Sequence, residues 1–207
     1  MRRLPVFLLI DSSTSMKGEA IDAVNSGLKT LFKDLRSNPF ALETVFLSVI
    51  SFNTTAQIVR PFDDLLRTDD LTIEAKGQSN FGLGLELLIS ELNENVKKST
   101  KDTKGDWKPL VFFMTDGRPS GAWKKRLKEF LALKVGKWVI CACGMKSNME
   151  IIESMGGSIV ILNNKNEHSI HEFFKWVSNS ISSHSKSIDQ NQTEITNLET
   201  FKISLDK

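Results

Sequence analysis

Hydrophobic residues in this chain gather into short continuous runs, and the segments between them repeat apolar residues at helical spacing. The strand-like runs lie at residues 5–10, 44–52, 109–115, 137–143 and 158–162. A weaker run at 56–62 follows the turn-like Asn53-Thr54-Thr55. Continuous apolar runs are typical of strands covered on both faces, as in a parallel sheet. The short link between the second and third strands predicts an antiparallel hairpin at one edge.

Stripes of apolar residues with a helical period alternate with these runs. They cover residues 21–35, 85–96, 127–131 and 170–181, and a further short helix is expected near Asn148. Strands that alternate with helices in this way form layered α/β domains. The pattern therefore predicts a doubly wound, Rossmann-like α/β fold. Its central sheet is expected to be mostly parallel, with about six strands, one antiparallel edge strand and helices on both faces.

Length and composition indicate one domain followed by a tail. A chain of 207 residues is long enough for a single domain with a full core. We expect this domain at residues 1–184, because the apolar stripes end shortly before that point. Residues 185–207 are mostly polar, with only scattered apolar positions, and are expected to be a linker or an added helix.

Charge and hydropathy argue against several classes of protein. A net charge of +2 is too small to indicate a nucleic-acid partner. No apolar segment approaches the roughly 18 residues that a membrane span requires. The most basic segment, residues 97–108, has five Lys and two Asp, which fits either a solvated loop or an anion-binding patch. Cys141 and Cys143 are typical of a reduced, buried pair, so we expect a soluble cytoplasmic protein.

The strongest chemical signal is Asp11-Ser12-Ser13-Thr14-Ser15, which directly follows the first apolar run. In an extended segment, the two-residue spacing points Asp11, Ser13 and Ser15 to the same side. One carboxylate and two hydroxyl oxygens suit Mg²⁺ or Mn²⁺ rather than a soft metal. Such residues also cap helices in serine-rich loops, so the pentapeptide alone fits both interpretations.

Two further loops are expected to reach the same edge of the sheet. In a parallel sheet, binding groups collect beyond the carboxyl ends of the strands, near the point where strand order reverses. One loop precedes the second helical stripe, and the other follows the strongest apolar run. Together the three loops supply two carboxylates and three hydroxyls, from Asp11, Ser13, Ser15, Ser79 and Asp116. This convergence favours a metal site over a helix cap.

These residues resemble a known kind of site. The Asp-x-Ser-x-Ser motif at 11–15, the hydroxyl at Ser79 and Thr-Asp-Gly at 115–117 are similar to the metal-ion-dependent adhesion site of von Willebrand factor A domains. Residues 15–28 and 114–123 further resemble the bacterial TerY-like A domains, which are stand-alone proteins associated with tellurite resistance. The similarity extends over most of the predicted domain.

The resemblance implies a binding module of a tellurite-resistance or stress-response system, not an enzyme. It implies that Ser13 and Ser15 coordinate a divalent cation directly, and that Asp11, Ser79 and Asp116 do so directly or through water. The implied ion is Mg²⁺, with Mn²⁺ and Ca²⁺ as alternatives, and it keeps an open position for an Asp or Glu of a partner protein. The implied partners include a kinase and a PP2C-type phosphatase of the same module.

Two details qualify this resemblance. Ser79 stands where the family usually has threonine, and Gln78 replaces a second glycine. Because the methyl group that restricts the threonine rotamers is missing, we expect weaker metal binding. Lys17 and Arg118 flank the motifs, where they either steer an acidic partner or are ordinary surface charges.

Two other classes of function stay open. A metal held by two aspartates also occurs in phosphoryl-transfer enzymes. However, an Asp nucleophile of the haloacid-dehalogenase kind needs a second acid where this chain has Ser13, and both the phosphate loop G-x-x-x-x-G-K-[ST] and the nucleophile elbow G-x-S-x-G are missing. Gly82-Leu83-Gly84 is a fragment of a dinucleotide fingerprint and fits helix packing better. The other alternative is a scaffold with an empty site.

Overall fold

Strands and helices alternate along the chain, as the hydrophobic pattern predicts. The structure, a computed structural model, describes residues 2–67, 71–117, 119–144 and 149–189. Its strands are β1 (Leu4–Asp11), β2 (Val45–Phe52), β3 (Ala56–Asp64), β4 (Leu110–Thr115), β5 (Lys137–Cys143) and β6 (Ser158–Leu162). Its α-helices are α1 (Glu19–Arg36), α2 (Pro39–Thr44), α3 (Phe81–Asn95), α4 (Trp123–Leu131), α5 (Met149–Ser154) and α6 (Glu167–Asp189). Across these described residues, no helix has the length and apolar character of a membrane span.

The strands form one six-stranded sheet in the order β3-β2-β1-β4-β5-β6. The hairpin partner β3 is antiparallel to β2 at one edge, and the other strand pairs are parallel. The chain moves outward from β1 to β2 on one side and returns to β4 on the other, so strand order reverses beside β1. This arrangement confirms the predicted doubly wound fold and locates its crevice at the carboxyl ends of β1 and β4.

The core consists of two hydrophobic layers, one on each face of the sheet. Successive residues of β1 point to opposite faces, so Leu8 packs in one layer and Leu9 in the other. The first layer includes residues of α1, α2 and α6, and the second includes residues of α3, α4 and α5. In the second layer the Phe81 and Phe113 rings stack with centroids 4.4 Å apart. Helices on both faces explain why the strand sequences are continuously apolar.

The short helix α2 was not predicted from the sequence. Pro39 lies just beyond the first helical stripe, where a proline ordinarily indicates the end of a helix, but here it is the first residue of a new one. A proline fits the first helical position because its missing N–H needs no partner there. The side chain of Asn38 caps this helix by accepting hydrogen bonds from the N–H groups of Phe40 and Ala41.

The last helix is longer than its apolar stripe indicates. The predicted stripe ends at residue 181, whereas α6 continues to Asp189. The helix therefore passes through the predicted domain boundary between residues 184 and 185. The rest of the predicted tail, residues 190–207, lies outside the described residues, so the division into domain and tail stays a prediction.

Candidate metal centre

The candidate centre lies at the reversal of strand order between β1 and β4. Asp11 is the last residue of β1, and Asp116 directly follows Thr115 at the end of β4. The two strands are adjacent and parallel, with Ile10 in register with Met114. Both carboxylates therefore emerge at the same edge of the sheet, where the sequence predicts them.

Asp11 provides a buried carboxylate that is held by three donors. Its Oδ1 accepts from the Ser13 N–H at 2.9 Å. Its Oδ2 accepts from the Ser79 hydroxyl at 2.8 Å and from the Thr115 hydroxyl at 2.7 Å. No Lys, Arg or His forms an ion pair with this carboxylate in the described part of the chain. Among the described residues, the groups that contact the buried Asp11 carboxylate are therefore polar and uncharged.

The environment of Asp11 disfavours its ionised form. Burial raises the pKa of the Asp11 carboxyl above its ordinary value, although the hydrogen bonds from Ser13, Thr115 and Ser79 lower it in part. A buried carboxylate becomes more favourable when a cation supplies the missing charge. The position is thus electrostatically suited to a metal ion.

A second set of polar groups connects the first loop to Asp116. The hydroxyls of Ser13 and Ser15 lie 3.1 Å apart, and the Ser15 hydroxyl donates to Asp116 Oδ1 at 2.7 Å. Ser13 is buried whereas Ser15 is exposed, so this set leads from the interior to the surface. The centre is therefore accessible to solvent on the side of Ser15.

The loop that carries Ser79 is held against the first loop by backbone hydrogen bonds. The N–H of Thr14 donates to the Gly77 carbonyl at 2.9 Å, and the N–H of Asn80 donates to the Asn53 carbonyl at 2.9 Å. Gly77 has a φ of +68°, in the left-handed region that favours glycine. These contacts on both sides of Ser79 fix its hydroxyl beside Asp11.

Gly82 and Gly84 permit close packing at the start of α3. A Cβ atom on Gly82 would lie 2.9 Å from the backbone nitrogen of Ala122. A Cβ atom on Gly84 would lie 2.9 Å from the Phe52 ring. Both distances are too short for ordinary packing, so these glycines let α3 approach its neighbours beside Ser79. This geometry supports the helix-packing interpretation of the segment.

The donor set fits a hard divalent cation. The structure brings together all five residues that the sequence singles out, namely Asp11, Ser13, Ser15, Ser79 and Asp116. Every candidate ligand atom is a carboxylate or hydroxyl oxygen, the ligand type that Mg²⁺ and Mn²⁺ prefer. No cluster of three or more His, Cys, Asp or Glu suited to a metal occurs within residues 2–67, 71–117, 119–144 and 149–189.

Two residues of the centre were missed as individual candidates. The sequence marks Thr115 only as part of the Thr-Asp-Gly motif, yet its hydroxyl donates to Asp11. Lys165 belongs to no motif, yet its ammonium donates to Asp116 Oδ2 at 2.7 Å and to the Ser15 carbonyl at 2.9 Å. The position of Lys165 after β6 was the available signal, because that loop also lies at the carboxyl edge of the sheet.

The flanking basic residues and the two cysteines are not among the candidate ligands. Lys17 is exposed directly after the 3-10 turn Thr14–Met16, and Arg118 lies outside the described residues. Cys141 and Cys143 are both buried and unbridged, with their sulfur atoms 3.7 Å apart. Burial raises the pKa of the Cys141 thiol well above its ordinary value, so this thiol is neutral and inert at neutral pH.

The fold and the centre define a doubly wound α/β domain with an oxygen-rich site where strand order reverses. Residues 6–118 match the sequence model of a family described as the von Willebrand factor type A domain, which is more than half of the 207 residues. The chain belongs to this family. A search of curated proteins found no match to the sequence.

Solved structures with the same fold are distant in sequence. The pilus adhesin SpaC from Lactobacillus rhamnosus GG matches with a TM-score of 0.73 and 12% identity, over 89% of this chain and 31% of the adhesin. A von Willebrand factor type A protein from Catenulispora acidiphila gives a TM-score of 0.62 at 15% identity, over 87% of this chain and 43% of that one. Proximal thread matrix protein 1 from the mussel byssus gives a TM-score of 0.61 at 16% identity, over 86% of this chain and 47% of that one.

These similarities concern the fold alone, because the identities are so low. The chain spans less than half of the length of each of these proteins. Domains of the von Willebrand factor A type are typically adhesion or protein-interaction modules. The chain therefore belongs to a family whose domains are typically interaction modules.

Proposed function

We propose that the protein is a metal-ion-dependent interaction module that binds an acidic residue of a partner protein. The observation that carries this proposal is the hydrogen-bonded set of Ser13, Ser15 and Asp116 beside the buried Asp11–Ser79 pair. Oxygen atoms from three separate loops converge here, and no cation of the described part of the chain pairs with Asp11. This is the arrangement that a hard divalent ion requires.

The bound ion would supply an electrophilic position for an incoming carboxylate. The hydroxyls of Ser13, Ser15 and Ser79 leave the charge of the ion intact, and only Asp11 and Asp116 reduce it. Mg²⁺ is the proposed ion, with Mn²⁺ and Ca²⁺ as alternatives. The exposed position of Ser15 supports access from the partner's side.

The cellular role is proposed from the resemblance of residues 15–28 and 114–123 to TerY-like domains. We propose a cytoplasmic protein of a tellurite-resistance or stress-response module. Its proposed partners are proteins with an exposed Asp or Glu, among them a kinase or a PP2C-type phosphatase of that module.

Metal binding is tested by thermal unfolding and calorimetry with Mg²⁺ and Mn²⁺. At an ion concentration of 100 Kd, we expect stabilisation of about 2.7 kcal/mol, or about 5–10 °C in Tm for a domain of this size. Asp11→Asn and Asp116→Asn should lose this ion-induced shift because each removes a charged ligand. Asp102→Asn, in the exposed loop at the other end of the sheet, is the matched control and should keep it.

The absence of an ion response in the wild-type protein would overturn the metal-dependent mechanism and favour the scaffold alternative. An unchanged response in Asp11→Asn would show that the ion binds elsewhere.

Partner binding is tested by affinity capture from the native host with Mg²⁺ and with EDTA. We expect at least one protein to be captured with Mg²⁺ and lost with EDTA or with Asp116→Asn. Substitution of single Asp and Glu residues on that protein should then identify the group that reaches the ion. Capture that persists in EDTA and in Asp116→Asn would contradict the adhesion-site mechanism.

The enzyme alternative has its own test. The residue two positions after Asp11 is Ser13 rather than a second acid, which supports binding rather than phosphoryl transfer of the haloacid-dehalogenase kind. We expect no hydrolysis of a generic phosphoester in the presence of Mg²⁺. Hydrolysis that is lost in Asp11→Asn would favour the enzyme.

A further inference from the structure

Lys165 brings a positive charge into the candidate metal centre from an element that supplies none of the proposed ligands. It lies between β6 and α6, and its Nζ is 2.7 Å from Asp116 Oδ2 and 2.9 Å from the Ser15 carbonyl oxygen. The Asp116 side chain is only 1% exposed in this pair, and that of Lys165 is 37% exposed. The ammonium therefore contacts two of the five residues proposed to hold the ion.

The two oxygens of the Asp116 carboxylate accept from two different donors. Its Oδ1 accepts from the Ser15 hydroxyl at 2.7 Å, and its Oδ2 accepts from Lys165. Asp11 has no such partner in the described part of the chain. One of the two proposed acidic ligands is thus already paired with a cation of the protein itself.

The backbone around Lys165 is fixed, so this contact is built into the fold. The Asn164 side chain accepts from the Ser169 hydroxyl at 2.8 Å. The N–H of Glu167 donates to the Glu19 carboxylate at 3.1 Å, which ties the start of α6 to the start of α1. A Cβ atom on Gly144 would lie 3.5 Å from Lys165 Cγ, so the lysine stem passes over the end of β5.

We propose that Lys165 is an internal cation that competes with the divalent ion for Asp116 and thereby weakens the affinity of the centre for metal. This inference rests on the proposed function. The two positive charges cannot both neutralise Asp116 fully, and at separations of a few ångströms they repel each other even in a solvated environment. The lysine would thus act as a counter-ion that gives up Asp116 when the metal binds.

The test compares Mg²⁺ and Mn²⁺ affinities of the wild-type protein and Lys165→Met by isothermal titration calorimetry. Methionine keeps an unbranched stem and removes the charge. We expect the Kd to fall by about tenfold, the order of repulsion between a unit charge and a nearby divalent ion at the protein surface. Lys165→Arg keeps the charge and should not show this gain in affinity, because the guanidinium can still pair with Asp116.

Lys175→Met is the matched control for net charge, since Lys175 lies on the exposed surface of α6 and its side chain is 65% exposed. It should leave the Kd unchanged. If the wild-type protein and Lys165→Met bind metal equally, Lys165 does not compete with the ion, and the proposed function still stands. Binding by Lys165→Met alone would support the competition and overturn metal dependence of the wild-type protein. No binding by either protein would overturn both.

Discussion

At the residue scale, Thr115 holds two parts of the candidate centre in place. Its hydroxyl donates to Asp11 Oδ2 at 2.7 Å and accepts from the Gly117 N–H at 3.2 Å. The side chain is 2% exposed, so no bulk water can replace these bonds. One hydroxyl therefore fixes the buried acid of β1 and the turn that carries Asp116.

We expect Thr115→Val to destabilise the metal-free protein by about 2 kcal/mol, because the buried Asp11 carboxylate loses a donor and the half-buried Gly117 N–H loses an acceptor. Valine keeps the volume and the β-branched shape of the threonine. Urea unfolding in EDTA measures the effect. Thr115→Ser keeps the hydroxyl and should lose less stability. Equal unfolding midpoints for Thr115→Val and the wild-type protein would contradict this role of the hydroxyl.

The site residues divide into those that the sequence could predict and those that it could not. Asp11, Ser79 and Asp116 follow from their positions at strand ends and in a turn before a helix. Lys165 belongs to no motif, and its contact with Asp116 depends on the conformation of a loop about 50 residues further along the chain. Its position after β6 indicates the correct edge of the sheet, but the contact with Asp116 itself is set by the folded geometry of the loop.

At the element scale, the contact between α1 and α6 depends on a glycine in a helix. Gly27 lies in α1, and a Cβ atom there would overlap with the Phe174 ring of α6. In an exposed helix, glycine is about 1 kcal/mol less favourable than alanine. Its presence here allows two helices on one face of the sheet to approach closely. Helical periodicity alone predicted both helices but not the closeness of their contact.

We expect Gly27→Ala to destabilise the protein by about 1–3 kcal/mol despite the higher helix propensity of alanine, because the buried Phe174 ring must move. Urea unfolding measures the difference. Ser26→Ala, at the adjacent half-buried position on α1, is the control and should change stability by less than about 1 kcal/mol. If Gly27→Ala stabilises the protein, the packing explanation is wrong. Partial recovery of stability when Phe174→Leu is added to Gly27→Ala would support the packing explanation.

At the scale of the whole molecule, the candidate centre and the most basic segment occupy opposite ends of the sheet. The segment at 97–108 is fastened near the start of β1, where Arg3 donates to both oxygens of Asp106 at 2.6 and 3.0 Å. The Asp106 N–H also donates to the Lys97 carbonyl at 2.9 Å. This end of the molecule therefore contains an ion pair and does not consist only of solvated lysines.

Asp106 links stability to pH. Burial raises the pKa of its carboxyl, but the hydrogen bonds from Arg3 and the Lys97 N–H, with the charge of Arg3, outweigh burial and leave the pKa below its ordinary value. The folded protein thus binds this proton less tightly than the unfolded chain does. The carboxylate stabilises the fold above its ordinary pKa, and this contribution is lost as pH falls through the folded-state pKa.

We therefore expect Asp106→Asn to lower the Tm by a few degrees at pH 7, because Arg3 loses its anionic partner. The difference from the wild-type protein should shrink as the pH falls below about 4. Thermal unfolding by circular dichroism between pH 7 and pH 3 measures it. Asp102→Asn, in the same loop but exposed, should behave like the wild-type protein. A difference that stays constant over this range would contradict the assignment to Asp106.

The strand order also has a consequence during synthesis. The central strand β1 is made first, but its neighbour β4 begins at Leu110. About 100 residues of translation separate them, or roughly 5–20 s at ordinary elongation rates. During that interval the backbone N–H and C=O groups along one edge of β1 lack their partners on β4, and unpaired edges promote aggregation. The nascent chain is therefore expected to be most dependent on chaperones before β4 leaves the ribosome.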